Sequence, residues 1–309
     1  MAITAGMVKE LREMTGAGMM DCKKALTATE GDMEKAVEFL REKGLAAAAK
    51  KASRIAAEGI CDIVVADDKK GAIVEVNSET DFVAKNADFQ AYVKEVANQA
   101  LNTKSATVEE FLAEAWLSDT TETVEQALSR KIATIGEKLS IRRFAQLEGD
   151  VVVGYIHGGG RIGVLVSADA EVVNDDVKEA LKNVAMQIAA LNPKYVCREE
   201  VSAEFLAHEK EIIMAQIEND PKEAAKPDKV KEGMVQGRIN KELKDICLVD
   251  QVYVKAEDGK QNVGKYLEAV SKEVGGKVAV KKFIRFETGE GLEKKNEDFA
   301  AEVAKQMNK

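Results

Sequence analysis

Apolar residues recur at helical spacing in three short segments within the first 54 residues. Each segment places three apolar residues on one helix face: Val8, Leu11 and Met14; Cys22, Ala25 and Leu26; and Ala36, Val37 and Leu40. Gly16 interrupts the first segment, Gly31 and Asp32 offer a turn and a cap before the third, and Gly44 stands where that helix would end. The pattern predicts a module of three short helices over residues 1–54.

The next hundred residues change to strand-like patterns and then return to helical ones. Residues 45–58 are rich in alanine and predict a helical linker. Residues 60–65 and 72–76 are apolar runs joined by a polar loop, which indicates a β-hairpin. The remaining predicted elements of this part are a helix from about Asp88, helical stretches over 108–116 and 124–135, and a strand over 141–147.

A second hairpin and helix follow in the same order. Two strands are predicted around a turn at residues 157–160, and a helix begins at about Asp176. The two helices share Val-Ala-x-Gln at 96–99 and 184–187, and each begins the same distance upstream, at Asp88 and Asp176. We interpret this as two copies of one β-hairpin–helix unit. Coincidence is the alternative, since such units are common.

The rest of the chain predicts a helical hairpin and a further strand. Residues 199–246 predict two antiparallel helices around a turn marked by Pro221 and Pro227. The apolar seam of this hairpin is thin and contains Val201, Phe205, Ile212 and Ala215. The elements predicted after it are a short strand at 251–255, a helix at 263–274, a strand at 277–287 and a polar helix at 296–308.

The predicted fold class is therefore α+β. It consists of the three-helix module and a duplicated β-hairpin–helix core into which the antiparallel helical hairpin is inserted. The predicted parts are the module at residues 1–54, a first core part at 55–148, a second core part at 149–263 with the hairpin at about 199–246, and a C-terminal part at 264–309.

Composition and charge exclude several functions. The 309 residues include 45 basic and 54 acidic side chains, and the net charge of −9 argues against a protein that binds nucleic acid by neutralising phosphates. The four cysteines are far apart and form no CxxC pair, which indicates free thiols of a reducing compartment. No apolar run approaches the roughly 18 residues of a membrane helix, and no signal-peptide core is present. We expect a soluble cytoplasmic protein that contacts neither nucleic acid nor membrane directly.

The charge is distributed unevenly along the chain. Residues 5–54 carry ten basic and eight acidic side chains, a net charge of +2, so the other residues carry −11. The basic residues of this module form either an ordinary solvated surface or a docking surface for an acidic partner.

No residue pattern in the chain is typical of a catalytic, cofactor or metal site. Residues 158–163 match GxGxxG, but dinucleotide binding needs a helix after that loop, and residues 164–166 continue as a strand. The chain has no GxxxxGK[ST] and no GxSxG, and His208 lacks a second histidine four residues on. The paired aspartates at 67–68 and 175–176 stand at a turn and a cap, where Asp is favoured structurally. We expect no cofactor, no metal and no enzymatic activity.

The segment between the first hairpin and its helix, residues 75–86, has a sequence that suggests function. Connections at the ends of strands often carry function, and this one places Phe82 beside Asp81. In one interpretation Phe82 packs inward under the next helix. When the two units are aligned on their helices, however, Phe82 falls opposite Ala170, so the second unit closes without a large apolar residue. This favours an exposed Phe82 that enters a pocket of a partner.

Two long motifs make the chain recognisable. They are LREMTGAGMMDCKKAL at residues 11–26 and EVNSETDFVAK at residues 75–85. Weaker matches at 135–137, 141–143, 157–164 and 283–287 extend the likeness to nearly the whole chain. In these motifs the sequence resembles the elongation factor Ts family, the guanine-nucleotide exchange factors of bacterial elongation factor Tu. One departure is Val252, where the family usually has proline.

The resemblance implies a fold and a mechanism. The first module would be the family's ubiquitin-associated (UBA)-like domain, and the two units would be the halves of its core. Thr80, Asp81, Phe82 and Val83 would form the loop that enters the partner's G domain near its Mg²⁺. Phe82 would wedge between helices, and Asp81 would help to disturb the Mg²⁺ and phosphate contacts, so that GDP leaves. The further partner contacts would be Lys9, Arg12, Met19, Met20, Lys23, Ile135, Gly136 and His157.

The sequence is also compatible with two other kinds of function. A binding module or chaperone would hold a partner without exchanging its nucleotide, and a stable complex with unchanged GDP release would favour it. An enzyme with an unrecognised site would act on small substrates by itself. The sequence leaves open whether the chain forms a dimer or a complex of two copies with two partner molecules.

Overall fold

The computed structural model describes residues 3–293, and its first part is a three-helix module as predicted. The helices are α1 (Ala5–Thr15), α2 (Met19–Ala28) and α3 (Met33–Lys51). Thr4 and Asp32 cap α1 and α3, because their side chains accept hydrogen bonds from the backbone N–H groups of Met7 and Lys35. The core between the helices consists of Val8, Leu11, Cys22, Ala25, Leu26 and Ala36.

The expectation that Met14 shares the buried face of α1 is wrong. Its side chain is 63% exposed, and Thr15 takes the buried position. A helix turns every 3.6 residues, so a buried stripe that includes residues 8 and 11 continues at 15 rather than 14. The Thr15 hydroxyl donates to the Leu11 carbonyl at 2.7 Å, which allows this polar group to be buried.

Gly44 does not end the third helix, contrary to the prediction. The alanine-rich residues that follow it continue α3 to Lys51. Gly44 is buried where α3 crosses a later helix, and a Cβ atom there would lie 3.5 Å from the carbonyl oxygen of Ser129. That distance is an ordinary contact, so the site has room for a Cβ atom, and the predicted linker is partly the end of α3.

The core contains two units, each built around a three-stranded antiparallel sheet. The sheets have the strand orders β1-β2-β5 and β6-β7-β8, and β3 and β4 form a separate short ribbon. The first unit consists of β1 (Glu58–Ala66), β2 (Lys70–Ser78), α4 (Asp81–Ala84), α5 (Ala87–Asn102), α6 (Val108–Ala113), β3 (Ala115–Trp116), β4 (Asp119–Thr123), α7 (Val124–Ile135) and β5 (Ser140–Glu148). The second consists of β6 (Val151–His157), β7 (Ile162–Ala170), α8 (Asp175–Leu191), α9 (Ala203–Asn219), α10 (Pro221–Ala224), α11 (Asp228–Ile246), α12 (Val263–Val274) and β8 (Val278–Glu287).

The two sheets pack against each other, with a helix on the outer face of each. Residues of alternate orientation on the strands separate the two faces. The inner faces contribute Cys61, Ile73, Leu147, Val152, Leu165 and Phe286. On the outer faces, α5 covers Ala72, Val74 and Val76, and α8 covers Val151, Val164 and Val166. The result is a four-layer arrangement of mixed helix and sheet, in agreement with the predicted α+β class.

Most predicted strands and helices of the core are confirmed, but the segment at 251–255 is not a strand. Val252 forms an isolated bridge with Asn262, and Tyr253 stacks on Tyr266 with ring centroids 4.2 Å apart. The buried Gln187 takes the place of a strand partner. Its Nε2 donates to the Val252 carbonyl at 3.0 Å, and its Oε1 accepts from the Val254 N–H at 2.8 Å.

The helical hairpin is formed by α9 and α11, joined through the short α10 as the prolines predict. Its seam consists of Ile213, Ile217, Val235, Ile239 and Leu243. Ile212 and Ala215, which were expected in the seam, are exposed. Val201 and Phe205 belong to the hairpin's core as predicted, and the pattern fails only farther along α9, where Ile213 and Ile217 are the buried residues. Trp116, expected at the end of a helix, lies buried in β3.

The predicted polar helix at 296–308 lies outside the described residues. Between residues 3 and 293, no helix combines the length and apolar character that crossing a membrane requires. Within the same range, no group of three or more His, Cys, Asp or Glu side chains is arranged to hold a metal ion.

Candidate functional site on the Phe82 loop

The connection between β2 and α5 presents Phe82 to solvent. Its residues 79–86 contain the single helical turn α4, which Thr80 caps by accepting a hydrogen bond from the Val83 N–H at 3.4 Å. Phe82 is 80% exposed, whereas Ala84 on the other side of the turn is buried. Val83 is half-buried and packs against the core of the first unit. The interpretation in which Phe82 packs under α5 is therefore wrong, and the expected exposure of Phe82 is confirmed, while its entry into a partner's pocket stays a prediction.

Asp81 lies beside Phe82 and forms an exposed ion pair. Its Oδ2 atom is 2.6 Å from the Nζ of Lys85, one helical turn on. The hydrogen bond from Lys85 holds the pKa of the Asp81 carboxyl below its ordinary value. Asp81 is therefore ionised near neutral pH, and the loop presents a negative charge next to an aromatic ring.

The turn that follows α7 holds the base of the Phe82 loop. α7 ends at Ile135, and Gly136 adopts a left-handed conformation (φ 86°) that a glycine readily takes. The next residue, Glu137, accepts hydrogen bonds from the N–H groups of Glu79 and Thr80, both at 3.1 Å, and from the Thr80 hydroxyl at 2.7 Å. The structure thus brings the predicted contacts Ile135 and Gly136 to the same site as Thr80.

A second set of contacts joins this site to the segment after α3. The Glu79 carboxylate accepts from the Lys138 N–H at 2.6 Å and pairs with Arg54 at 3.1 Å. The Nζ of Lys138 donates to the carbonyls of Ala52 and Arg54 at 2.7 and 2.8 Å. The loop, the turn after α7 and the end of the three-helix module therefore form one connected network.

The three-helix module carries a separate exposed surface around the turn between α1 and α2. Its apolar part consists of three exposed methionines, Met14, Met19 and Met20. Lys9, Arg12 and Lys23 are exposed as well, and Lys9 pairs with Glu13 at 3.7 Å. Flexible methionine side chains adapt to many partner surfaces, so this patch has the composition of a docking surface.

His157 lies on the other sheet, at the end of β6. Its Nδ1 is 3.0 Å from the Tyr155 hydroxyl, and its side chain is exposed. The structure therefore places the predicted contacts in three separate regions: the Phe82 loop with Ile135 and Gly136, the methionine surface, and the end of β6.

Comparison with known proteins decides the family. A family model described as "Elongation factor TS" matches residues 79–290. The chain is 54% identical to the elongation factor Ts of Clostridium perfringens (strain 13 / Type A) over 310 residues, which is 99% of this chain and 100% of the relative. It is 53% identical to those of Clostridium novyi (strain NT) and Clostridioides difficile (strain 630), over 309 and 307 residues, with 99% of each chain covered.

The chain belongs to the elongation factor Ts family. This confirms the resemblance inferred from the two long motifs, and it makes the chain a translation elongation factor of the guanine-nucleotide exchange type. The family model begins at Glu79, the first residue of the Phe82 loop. The likeness of the first module to UBA domains stays a prediction.

Sequence reasoning missed a buried charge cluster on the second strand of the first unit. Glu75 on β2 is fully buried and pairs with Arg142 at 3.0 Å and with Arg143 at 2.5 Å. It also accepts from the Gly289 N–H at 2.8 Å, which ties the first sheet to the segment after β8. A lone glutamate inside an apolar strand was the available signal. Met14 was missed for a different reason, because its spacing suggested a core position.

Proposed function

We propose that this chain binds elongation factor Tu carrying GDP and promotes release of the GDP in the cytoplasm. The loop of Thr80, Asp81, Phe82 and Val83 inserts near the partner's Mg²⁺ and phosphate site. The observation that carries the proposal is the 80% exposed Phe82 on a loop whose base is fixed by hydrogen bonds. Exposing an aromatic ring this far is unfavourable for an isolated protein and typical of a residue that enters a partner's pocket.

The insertion weakens GDP without covalent chemistry. Mg²⁺ in nucleotide sites is held by few protein groups together with waters and substrate phosphates, so moving the residues that order it loosens the nucleotide. Phe82 separates the partner's helices near this site, and the charge of Asp81 disturbs the Mg²⁺ and phosphate contacts. An exchange factor succeeds when it stabilises the empty partner more than the GDP-bound one. GTP then binds the empty partner and ends the cycle.

Docking and exchange reside in different regions of the chain. The methionine surface, together with Lys9, Arg12 and Lys23, docks on the same G domain, and His157 adds a contact from the second sheet. Docking sets how tightly the two proteins associate, and the Phe82 loop sets how much faster GDP leaves once they have associated. The stoichiometry of the complex, one to one or two to two, is measured by its mass in solution.

The test is release of labelled GDP from elongation factor Tu, measured against the concentration of this protein. Replacing Phe82 by alanine is expected to lower the maximal release rate at least about 30-fold, the effect of removing one dominant interface residue. The half-saturating concentration should change much less, because docking is retained. Val173→Ala is the matched control, since Val173 is also exposed and lies in the equivalent connection of the second unit.

Two outcomes would count against the proposal. Unchanged GDP release with Phe82→Ala would show that Phe82 does not act as a wedge in the partner. A stable complex of the unmodified protein with elongation factor Tu, without faster GDP release, would favour a plain binding module instead.

A further inference from the structure

The two core units share a contact between the connection that follows the second strand and the residues just before the third strand. In the first unit, the side chain of Glu79, directly after β2, accepts from the Lys138 N–H at 2.6 Å. In the second unit, the side chain of Glu171, directly after β7, accepts from the Lys277 N–H at 3.0 Å. Because both units have this contact, we attribute it to the fold that the two units share.

The residue before each lysine differs between the units. α7 and α12 both end at a glycine in the left-handed conformation, Gly136 and Gly275. The following residue is Glu137 in the first unit and Gly276 in the second. A Cβ atom at Gly276 would lie 2.8 Å from the side chain of Val172, so the second unit has no room for a glutamate here. The first unit, which carries Phe82, therefore has a contact through Glu137 that the shared fold does not require.

Both oxygens of the Glu137 carboxylate bind the Phe82 loop. Oε2 accepts from the N–H groups of Glu79 and Thr80, and Oε1 accepts from the Thr80 hydroxyl at 2.7 Å. The same hydroxyl oxygen accepts from the Val83 N–H and so caps the turn that carries Phe82. A continuous chain of hydrogen bonds runs from Glu137 through Thr80 to this turn, and bonds to a carboxylate are among the stronger ones.

We infer that Glu137 is a positioning residue for nucleotide exchange: it holds the Phe82 loop in the conformation that enters the partner. This inference rests on the proposed function. Without Glu137, the loop of residues 79–86 samples more conformations, and only the competent fraction contributes to exchange. Glu137 acts through Thr80 and Phe82 and does not need to touch the nucleotide.

The chain contains a close match for a control. Glu110 at the start of α6 also accepts two consecutive backbone N–H groups with one carboxylate oxygen, from Ala106 at 2.9 Å and Thr107 at 3.3 Å. Its alanine variant removes the same kind of bond at residues 106 and 107, to which Glu110 is bonded instead of the loop. Comparable losses of thermal stability in Glu110→Ala and Glu137→Ala would show that the two changes are structurally matched.

The experiment measures the maximal rate of GDP release from elongation factor Tu with full-length variants. Glu137→Ala should slow release about tenfold, the size expected for lost hydrogen bonds to a charged group. Glu110→Ala should leave the rate unchanged. Glu137→Gln keeps a carbonyl oxygen for the two N–H groups and should recover most of the rate. In a Phe82→Ala background, Glu137→Ala should cause no further loss, because there is no longer a ring to position.

Several outcomes would overturn the inference. They are equal rates for Glu137→Ala and Glu110→Ala, no recovery with Glu137→Gln, or a full additional loss in the Phe82→Ala background. Thr80→Val provides a second route if Glu137→Ala does not fold, since it interrupts the same chain of bonds at the hydroxyl and should also slow release. If Phe82→Ala alone leaves release unaffected, the proposed function fails. If only the Glu137 variants leave it unaffected, the positioning role fails and the proposed function stands.

Discussion

The two core units of this chain follow the same plan and differ where function is proposed. Each has a β-hairpin, a long helix on the outer face, a twelve-residue helix that ends at a left-handed glycine, and a third strand paired with the second. Each second strand also has an irregularity in its pairing at the same place, between Glu75 and Val76 in one unit and between Ser167 and Ala168 in the other. Such bulges are specific features of a fold.

The repeated Val-Ala-x-Gln has a physical explanation in this comparison. Gln99 donates to the Ala115 carbonyl at 3.2 Å and accepts from the Leu117 N–H at 2.9 Å. Gln187 makes the same pair of bonds to Val252 and Val254. In both units a buried amide satisfies the backbone of a segment that has no strand partner on that side.

The difference lies in the connection between the second strand and the long helix. It contains residues 79–86 in the first unit and only 171–174 in the second. The alignment of Phe82 with Ala170 is therefore wrong in register, because Asp169 and Ala170 belong to β7 and match the end of β2. The exposure of Phe82 has a simpler reason. The second unit closes with a connection four residues shorter, so the extra residues of the first are free for contacts with another molecule.

The largest expected effect is a loss of stability on replacing Glu75, which lies at the bulge of the first unit. Glu75 and Ser167 occupy equivalent positions, and only Glu75 carries a buried charge paired with Arg142 and Arg143. Glu75→Ser introduces the second unit's residue into the first and removes the buried acceptor of both arginines and of the Gly289 N–H, although Arg143 keeps Glu290 at 3.4 Å. Losing several hydrogen bonds to one charged group should cost about 3–5 kcal/mol of unfolding free energy, to be measured by urea denaturation.

The matched control for this change is Ser167→Ala in the second unit. The Ser167 hydroxyl donates one long bond to the Lys282 carbonyl at 3.4 Å. Its removal should cost about 1 kcal/mol or less. Equal losses for the two variants would show that the Glu75 cluster is not what joins the first sheet to the segment after β8.

A smaller effect is expected from the glutamines, and it should be the same in both units. Gln99→Ala and Gln187→Ala each remove a buried amide and, with it, the partner of one part-buried carbonyl and one part-buried N–H. Each should lower the unfolding free energy by about 1–3 kcal/mol, as measured by urea denaturation. A large loss in one unit and none in the other would contradict the idea that the shared sequence reflects a shared role.

Local patterns in the sequence predicted the elements well, because each depends on neighbouring residues. α7 and α12 lie where their apolar periodicity placed them, and the glycine-rich turn before Ile162 is a hairpin turn, as its context indicated. The errors concern contacts between distant segments. The segment 251–255, for example, looks like a strand until Gln187 is seen to bond with it.

The candidate site was predictable to a similar extent. The exposure of Phe82 was predicted correctly, but the alignment of the two units on which that prediction depended was wrong in register. The role of Glu137 did not follow, because Glu137 and Thr80 are 57 residues apart and only the fold brings their oxygens to 2.7 Å. Its chemical type alone is that of any surface glutamate.

The smallest expected effect concerns the exposed charges of the loop. Lys85 lowers the pKa of Asp81, so the folded state favours the ionised carboxylate. Any stability from this pair is present above the unfolded pKa of about 3.9 and is lost as the pH falls through the lower, folded value. Asp81 is ionised near neutral pH in both the folded and the unfolded chain. Its pair with Lys85 is exposed, and exposed ion pairs contribute little to stability.

Lys85→Ala should therefore raise the pKa of Asp81 toward its ordinary value. An NMR titration of the carboxyl group measures this change. The unfolding midpoint at neutral pH should stay within error of the original chain. Lys85→Ala should not alter how GDP release from elongation factor Tu depends on pH between about 6 and 8, because Asp81 is ionised throughout this range in both proteins. A clear loss of exchange in Lys85→Ala would mean that the ion pair shapes the loop together with Glu137. Unchanged exchange would show that the Lys85 pair is not needed. The activity proposed for the first unit would then depend on the Phe82 ring and the contacts that position it.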